Sequence, residues 1–462
     1  MSYESAVEQM YALGYELAQT PPHKFDLAHM RVLLDALEHP EKRFPAVLIA
    51  GTNGKGSTAA TLASILSASG LRTGLYTSPH LVRINERIRI DGEAISDDDF
   101  ALLHELVRRY AERLIEEGEL PWHPSFFEML TAMAFEHFAR QKVDMAVLEV
   151  GMGGRLDATN VVEPRVSVIT DISLDHQKFL GNTIAEIAGE KAGIIRPGSP
   201  VVTLPQMPEA NNVIGNAILE QNARAISAVP FVPPVSPAAA RTEYRGNAFT
   251  AEYAEDAENN TGAYVSRYPL EVLGKQITIE SPLVGRHQLR NIALAIAAAE
   301  ELHNQGFPVT AESIERGIRE TRWPGRFQLV PATASSPEFV LDVAHNPAGA
   351  WALRAALSAY RGERPFTMIF GAMRDKAIGE IAEILFPIAD RVIATRAENP
   401  RSATIEEIRA AAARTGTEIL ESPNVPSALE SAGKVTPPSG LVVITGSIYV
   451  VGEAMRELKL RI

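Results

Sequence analysis

The chain has 462 residues, enough for two or three domains, and its 46% hydrophobic and 22% charged residues are typical of a folded globular protein. It has no cysteine, which excludes disulfides, thiolate metal sites and a cysteine nucleophile. The net charge of −13, without a long basic segment, disfavours a nucleic-acid or membrane-surface role, so anionic ligands would need a local basic cluster.

The N-terminal segment carries Glu4, Glu8 and Glu16 and lacks the basic start and apolar run of a signal peptide. No apolar run reaches the ~18 residues of a membrane span. The sequence therefore predicts a cytoplasmic protein, which also fits the absence of cysteine.

Apolar runs alternate with helical patterns in the first part of the chain. Strands are predicted at 45–50, 72–78, 144–150 and 165–171, and helices at 57–70, 96–118 and 125–141. Strands that alternate with helices predict an α/β fold with a parallel sheet covered on both faces.

A different composition marks residues 205–280, which are rich in proline, glycine, asparagine and polar residues. We predict hairpins and loops there, that is, a small β-rich segment. A helix follows at 286–306, and from about 322 the α/β alternation resumes with FVLDV, TMIFGAM, RVIATRA and LVVITGS. This pattern predicts two domains, 1–318 and a smaller one at 322–462.

The segment AGTNGKGST, residues 50–58, lies between a predicted strand and a predicted helix, as a phosphate-binding loop does. Its glycines would let backbone N–H groups approach phosphate oxygens, the helix N-terminus adds positive potential, and Lys55 would pair with the outer phosphates. It departs from G-x-x-x-x-G-K-[ST], because Gly56 stands where a hydroxyl residue normally binds Mg²⁺. The alternative is a strand–helix turn with a solvated lysine.

The hydroxyl that Gly56 lacks must come from another segment, unless Ser57 moves into its place. Ser78 follows the next predicted strand, and ligands bind at the carboxyl ends of strands in open α/β sheets, although a serine before proline is also typical of a turn. Glu149 interrupts an apolar strand near its end, where a carboxylate is costly to bury unless it is paired or bound to a metal. His176, beside Asp175, fits a metal ligand and a hydrogen-bonded loop residue equally well.

Other polar residues have simpler explanations. Ser125 and Glu128 form the S-x-x-E pattern of a capping box, which explains both residues without chemistry. Lys191, within a predicted helix, is ordinarily a solvated surface lysine. In the second domain polar residues repeatedly follow predicted strand ends, which indicates an edge that faces a ligand; they include Asp342, His345, Asn346, Asp375, Lys376, Ser447 and Tyr449.

Together these segments resemble the folylpolyglutamate synthase/dihydrofolate synthase family of the Mur ligase superfamily. The matching motifs are GTNGKGS (51–57), TSPHL (77–81), RINERIRIDG (83–92), FFE (126–128), LEVGMGGRLDATN (148–160), LDHQKFLGNT (174–183), EKAGI (190–194), PGRFQ (324–328), DVAHNP (342–347) and GSIYV (446–450). They occur in family order over nearly the whole chain, so the set is specific even though GTNGKGS alone is only moderately so.

The resemblance implies an α/β fold in which a P-loop ATPase domain, with a parallel sheet flanked by helices, precedes a smaller Rossmann-like α/β glutamate ligase domain. It implies an enzyme that uses ATP to activate a pterin-substrate carboxylate as an acyl phosphate, which the amine of L-glutamate then attacks. The acceptor would be dihydropteroate or a reduced folate. We further expect a monomer without nucleic-acid or membrane partners.

The resemblance also assigns residues. ATP would be bound by Gly51, Thr52, Asn53, Gly54, Lys55, Gly56, Ser57, Asn291, Arg326 and Asp342. Two Mg²⁺ ions would be held by Ser78, Glu149, His176 and Lys191, the last as a carbamate. The pterin pocket would include Asp26, Leu27, Ala28, Ser125, Phe126, Phe127, Glu128, Leu156, Asp157 and Ala158, and the glutamate site His345, Ser447 and Tyr449. Ala28 and Val343 stand where the family often has glycine.

Three alternatives remain open at this point. The chain could be a folylpolyglutamate synthase only, or a muropeptide ligase of the same superfamily, which the SFFE and DVAHNP motifs would help to distinguish. It could also be a P-loop switch or regulatory ATPase that acts on a protein partner. The sequence has no N-K-x-D motif of the kind that recognises guanine, which disfavours the last hypothesis. That hypothesis would also leave the polar residues at the strand ends of the second domain unexplained.

Overall fold

The computed structural model describes residues 1–14, 26–234, 241–245 and 263–460 of the chain. These residues fall into two units. Unit 1 comprises Met1–Pro233, Leu270–Ile277 and Arg290–Thr321, and unit 2 comprises Pro234–Pro269, Thr278–Leu289 and Arg322–Ile462. Within the described ranges, no helix combines the length and the apolar content that a membrane crossing needs.

Unit 1 contains a large sheet whose strands are β1 Ala46–Ala50, β2 Thr73–Tyr76, β3 Ile88–Ile90, β4 Glu93–Ala94, β5 Met145–Glu149, β6 Pro164–Ile169, β7 Pro200–Thr203 and β8 Arg224–Ser227. Their order is β4-β3-β2-β5-β1-β6-β7-β8, and all neighbours pair parallel except β3, which is antiparallel to both β2 and β4. The central strands β1 and β5 are buried along their whole length. Burial on both faces explains their continuous apolar runs, and the predicted parallel sheet is confirmed.

The helices in this part of the chain are α1 Tyr3–Ala12, α2 Leu27–Ala36, α3 Lys55–Ala68, α4 Asp97–Glu116, α5 Phe126–Arg140, α6 Gln177–Leu180, α7 Ile184–Ala192, α8 Pro208–Glu220, α9 Arg286–Asn304 and α10 Ala311–Glu320. The predicted helix starts are confirmed where a cap marked them. The Ser96 side chain accepts from the Asp99 amide at the start of α4, where three aspartates also suit the helix dipole.

Helix α3, which follows the glycine-rich loop, packs closely against α10. A Cβ on Gly317 would lie only 2.4 Å from the Ile65 Cα, so the two backbones meet at this glycine. The Ser64 hydroxyl donates to the Gly317 carbonyl at 2.7 Å, and the Ser69 hydroxyl donates to the Ser313 hydroxyl at 2.8 Å. The position of α3 is therefore set by its fit to α10.

The prediction of hairpins and loops for residues 205–280 is wrong in its first part. Helix α8 and strand β8 occupy that region. Pro208 stands at the first helical position, where proline is tolerated because its missing N–H would have no partner there. The later part does contain a hairpin, β10 Ala263–Val272 and β11 Lys275–Ser281, with β9 Arg241–Arg245 as a third strand. Residues 235–240 and 246–262 lie outside the described part of the chain.

Unit 2 contains a sheet of six strands, β12 Gln328–Val330, β13 Glu338–Leu341, β14 Phe366–Phe370, β15 Arg391–Ala394, β16 Ile419–Glu421 and β17 Leu441–Thr445. Their order is β12-β13-β17-β14-β15-β16, and only β12 pairs antiparallel. The accompanying helices are α11 Pro347–Tyr360, α12 Ile378–Leu385, α13 Ile405–Ala411, α14 Val425–Val435 and α15 Ile448–Glu457. The α/β alternation expected from about residue 322 is confirmed.

We expect acid to destabilise the fold through His104, a buried residue of α4. Its side chain is 1% exposed, and its Nδ1 atom has no hydrogen-bond partner. Burial, followed by the positive charge of Arg108, lowers the pKa of His104 to about 4, although Glu105 and Glu112 oppose the shift and His123 adds to it. The folded protein therefore favours neutral His104.

The sign of the pH dependence follows from that depressed pKa. Neutral His104 makes its full contribution to the free energy of unfolding above the unfolded histidine pKa of about 6.5. That contribution is lost as the pH falls toward 4, at roughly 1.4 kcal/mol per pH unit. Thermal unfolding followed by circular dichroism should show the Tm falling between pH 7 and pH 5. The His104→Gln variant should show a shallower fall. An identical slope in wild type and variant would contradict this assignment.

Candidate active site

The glycine-rich loop after β1 has the geometry that a phosphate-binding loop requires. Gly51 and Gly54 have φ angles of 153° and 93°, which favour glycine. A Cβ at Gly51 would lie 1.8 Å from Thr170 Oγ1, and one at Gly54 would lie 2.1 Å from Asn291 Oδ1. Helix α3 begins at Lys55 with Gly54 as its N-cap, so its first turn presents backbone N–H groups and a positive dipole end to an anion.

The segment that follows β6 holds the loop on its other side. The Asp171 carbonyl accepts the N–H groups of Thr52 and Asn53 at 2.9 and 3.1 Å. The Thr52 hydroxyl donates to the Ser173 carbonyl at 3.1 Å, and the Asn53 side-chain amide donates to the Ser173 hydroxyl at 2.9 Å. Sequence reasoning missed these partners, although Asp171 ends a strand that it had identified.

We expect Gly54→Ala to weaken nucleotide binding about tenfold or more. The added methyl group would collide with Asn291 and would force an alanine into a left-handed backbone conformation, so the loop would have to move. Calorimetric titration with ADP would measure the change. Gly70→Ala is the control, because Gly70 also has a positive φ but no atom within 4 Å of a Cβ placed there. Unchanged ADP affinity in Gly54→Ala would contradict the phosphate role of the loop.

Lys191 on α7 is a buried residue beside this loop. Only 4% of it is exposed, and its Nζ donates to the Gly51 carbonyl at 2.7 Å. Burial, and then the charge of Lys55, lower the pKa of Lys191 to about 7, although Asp175 and Asp157 oppose the shift. The ordinary interpretation of Lys191 as a solvated surface lysine is therefore wrong. The site holds two amines, since Lys55 Nζ donates to the Thr52 carbonyl of the same loop at 3.3 Å.

The structure also brings Ser78 and Glu149 together. Glu149 ends β5 level with Ile49 of β1, and it is 4% exposed. Its Oε2 accepts the Ser78 N–H at 3.1 Å. The hydroxyl of Ser78 and the carboxylate of Glu149 are oxygen donors of the kind that Mg²⁺ uses, with water and phosphate oxygens in its remaining positions. The donor set therefore fits one Mg²⁺ ion that is shared with a nucleotide.

A second Mg²⁺ ion would need oxygen ligands that the unmodified side chains of His176 and Lys191 do not supply. His176 lies just before α6, and its backbone N–H donates to Asp175 Oδ1 at 2.8 Å. The amine of Lys191 offers no oxygen, and a protonated amine cannot bind a metal ion. Among the described residues, no group of three or more histidine or acidic side chains is arranged to hold a metal. A carbamate on Lys191 would supply the missing oxygens.

The segments assigned to the pterin pocket come together in unit 1. Helix α2 packs against α5 and against the short turn Ala158–Val161, and α5 packs against that turn as well. Phe126 is buried and stacks on Tyr11 with ring centroids 5.9 Å apart. Phe127 lies against the Gly151 backbone, because a Cβ placed on Gly151 would be only 2.5 Å from the Phe127 ring.

Several polar atoms in these segments fix the local structure. Ser125 and Glu128 form the predicted capping box, and the Ser125 hydroxyl donates to Glu128 Oε2 at 2.6 Å. Burial alone would raise the pKa of Glu128, but hydrogen bonds from His29 and Ser125 hold it below its ordinary value. Asp26 caps α2 by accepting the Ala28 N–H at 2.9 Å.

Asp157 likewise serves its own loop. Its carboxylate accepts from Met152 N–H at 2.9 Å and from the Thr159 hydroxyl at 2.6 Å. Burial raises the pKa of Asp157, although these hydrogen bonds oppose the shift. In the same segment, Ala158 is buried and Leu156 is partly buried.

In unit 2, the assigned residues gather at the carboxyl ends of β13 and β17. The buried Asp342 accepts the N–H groups of Phe327 and Ala344, each at 2.9 Å. Burial raises the pKa of Asp342, although the charge of Arg326 opposes the shift. Asp342 thereby fixes the segment that carries Arg326.

The two glutamate-site segments are also tied to each other. The Gly446 N–H donates to the Ala344 carbonyl at 3.1 Å, which places the residues before Ser447 beside those before His345. Ser447 caps α15 by accepting the Tyr449 N–H at 3.2 Å. His345 Nδ1 lies 2.9 Å from the Val343 carbonyl, and because a carbonyl oxygen can only accept, the ring donates to it from this nitrogen.

Two family models match the chain. Residues 125–299 match the Mur ligase middle domain, and residues 325–448 match the Mur ligase glutamate ligase domain.

Curated relatives match over nearly the whole chain. The dihydrofolate synthase/folylpolyglutamate synthase of Bacillus subtilis (strain 168) is 35% identical over 94% of this chain and 95% of its own length. The folylpolyglutamate synthase of Lacticaseibacillus casei is 34% identical over 99% of both chains. Among solved structures, Mycobacterium tuberculosis folylpolyglutamate synthase complexed with ADP is similar, with a TM-score of 0.83 and 31% identity over 100% of this chain and 99% of that one. An FPGS–AMPPCP–folate complex has a TM-score of 0.77 and 32% identity over 99% of this chain and 100% of its own.

Proposed function

Because this chain belongs to the folylpolyglutamate synthase/dihydrofolate synthase family of Mur ligases, we propose that it is an ATP-dependent ligase that joins L-glutamate to a folate-type carboxylate. The acceptor would be dihydropteroate, a reduced folate, or both. Relatives with those names and a related structure that contains AMPPCP and folate support the substrate class.

One observation carries the proposal most directly: the glycine loop, two lysines and an acidic strand end lie together in unit 1. Lys55 starts the helix behind the loop, Lys191 contacts Gly51, and Glu149 is level with the strand that leads into the loop. In a chain with a net charge of −13, this local pair of amines is the basic cluster that a polyphosphate would need.

The reaction has two displacement steps. A carboxylate oxygen of the acceptor attacks the γ-phosphorus of ATP, the bond to the β–γ bridging oxygen breaks, and ADP leaves. The amine of glutamate then attacks the carbonyl carbon of the acyl phosphate, inorganic phosphate leaves, and the amine loses a proton. Lys55 and the helix N-terminus would offset the repulsion between the anions in the first step.

The remaining site residues follow as part of the proposal. The residues that would bind ATP are Gly51–Ser57, Asn291, Arg326 and Asp342. Ser78 and Glu149 would hold one Mg²⁺, and His176 with a carbamylated Lys191 would hold the second. Mg²⁺ bound there would offset charge on the transferred phosphoryl group. A neutral Lys191 amine, available because burial lowers its pKa to about 7, is the form that adds CO₂.

The pterin acceptor would lie against the segments Asp26–Ala28, Ser125–Glu128 and Leu156–Ala158, and glutamate against His345, Ser447 and Tyr449. We assign ATP binding to a domain of residues 1–318 and glutamate ligation to a domain of residues 322–462. The limits of the two family models, 125–299 and 325–448, support that division. A monomer in the cytoplasm remains our proposal from the sequence.

A paired assay tests the function and separates the alternatives. ADP release should require both glutamate and an acceptor. The acceptor that supports it should be dihydropteroate, a reduced folate monoglutamate, or each of the two when supplied separately. Activity with the folate alone would identify a folylpolyglutamate synthase without dihydrofolate synthase activity. Turnover that is indifferent to both acceptors and to glutamate would refute the proposal, and turnover with a muropeptide acceptor would replace it with the other ligase class.

A further inference from the structure

We propose that an ion pair between Asp171 and Arg290 positions the phosphate loop and Asn291 for nucleotide binding. This inference rests on the proposed function and adds two positioning residues to it. Neither residue follows from the motifs of the sequence, and they lie 119 positions apart in the chain.

Asp171 makes two kinds of contact: its backbone contacts the loop, and its side chain pairs with Arg290. Its carbonyl accepts both Thr52 and Asn53 N–H groups, and Asp171 and Asn53 form an isolated antiparallel bridge. Its carboxylate accepts from Arg290 Nε at 2.9 Å and from Arg290 Nη2 at 2.5 Å. Because this two-point contact fixes the Asp171 side chain, it also restrains the carbonyl on which the loop rests.

Arg290 connects this anchor to α9. Its Nη2 also donates to the Pro205 carbonyl at 3.0 Å, so the guanidinium is held from two sides. The next residue, Asn291, lies against Gly54, and its carbonyl is 3.4 Å from the Thr58 hydroxyl of α3. The loop thus lies between Asp171 and Asn291, and Arg290 connects the two because it pairs with Asp171 and precedes Asn291 in α9.

The position of Arg290 along the chain makes such an anchor useful. Residues 278–289 belong to unit 2, and the chain enters unit 1 at Arg290, within α9. The ion pair therefore fixes the first residue of α9 that belongs to unit 1.

Charge gives the pair a second role. Asp171 is a carboxylate directly beside a loop that would receive a triphosphate, and an unpaired carboxylate there would repel the ligand. Arg290 neutralises it. Both side chains are about one-third exposed, so a large contribution to global stability is not expected, and the effect should appear mainly in nucleotide binding.

The test compares Arg290→Gln, Arg290→Lys and the double variant Asp171→Asn/Arg290→Gln in the full-length enzyme. Arg290→Gln should raise the KM for ATP and the Kd for ADP about tenfold, as expected for loss of a charged hydrogen-bonded partner, while the KM values for folate and glutamate change less than about twofold. Arg290→Lys should restore part of the affinity. The double variant Asp171→Asn/Arg290→Gln should bind ADP no more weakly than Arg290→Gln, because the unpaired carboxylate has then been removed.

Arg224→Gln is the matched control. Arg224 also pairs with a carboxylate on α9, Glu301, at 2.5 Å, but that contact is remote from Asn291 along the helix. This variant should keep the wild-type KM for ATP. Unchanged ADP affinity in Arg290→Gln, weaker ADP binding in the double variant than in Arg290→Gln, or an equal loss in Arg224→Gln would each overturn the inference. Failure of the wild-type enzyme to bind ADP would instead refute the proposed function.

Discussion

Lys55→Ala should lower ligase activity at least ~100-fold, by removing the cation that faces the phosphates. The loss should come mainly from electrostatics. Alanine is a good helix former, and the glycines that shape the loop remain, so α3 should still begin at the same place. The measurement is ADP release in the presence of both acceptor and glutamate, with thermal unfolding to verify that the variant is folded.

Lys275→Ala provides the matched control for Lys55→Ala. Lys275 is an exposed lysine that pairs with Glu312 at 2.6 Å, and such surface pairs contribute little to stability. Its removal should leave turnover at the wild-type level. Near-wild-type turnover of Lys55→Ala would remove the loop from the ATP site and would favour the strand–helix turn with an ordinary lysine.

Lys191→Ala is expected to reduce turnover by a similar ~100-fold factor, for a different reason. The proposed carbamate would contribute oxygen ligands that the unmodified lysine amine does not provide. Short carboxylic acids such as formate or acetate should therefore restore part of the activity. A crystal structure or the intact mass of the wild-type protein should show the mass or density of one added CO₂ on this lysine.

The contact with Gly51 gives Lys191→Ala an informative second outcome. Activity could be lost in a way that no acid restores, with no CO₂ found on the wild-type lysine. In that case Lys191 acts as an amine that holds the loop through the Gly51 carbonyl. That result would contradict the carbamate. Lys178→Ala, which removes an exposed lysine from the preceding helix, should neither lose activity to this extent nor respond to added acids.

The parts of the fold that the sequence predicted are those governed by local or strongly periodic signals. Buried strands such as β1 and β5 are continuous apolar runs, and the capping box at Ser125 marks the start of α5. The sequence does not predict helix α8, because its one proline, one glycine and three asparagines are poor helix formers. Its stability depends on burying Ala210 and Ile214, a tertiary contact that composition does not report.

The candidate site divides in the same way. The approach of Ser78 to Glu149 follows from a general rule, that the carboxyl ends of adjacent parallel strands share one edge of the sheet. The burial of Lys191 has no such local signal, since α7 could have presented that face to solvent. The pairing of Asp171 with Arg290 depends on how α9 returns to the sheet, which no local pattern predicts.

The close packing of α3 on α10 has a consequence for genetics. Gly317 lies in a helix without any assigned residue, yet a side chain there would push directly on the backbone at Ile65. Since α3 carries the phosphate loop at its other end, a missense change at Gly317 should produce an allele that resembles an active-site lesion. Suppressors of such an allele should map to the facing turn of α3, around Ser64, where a smaller or shifted contact would restore the fit.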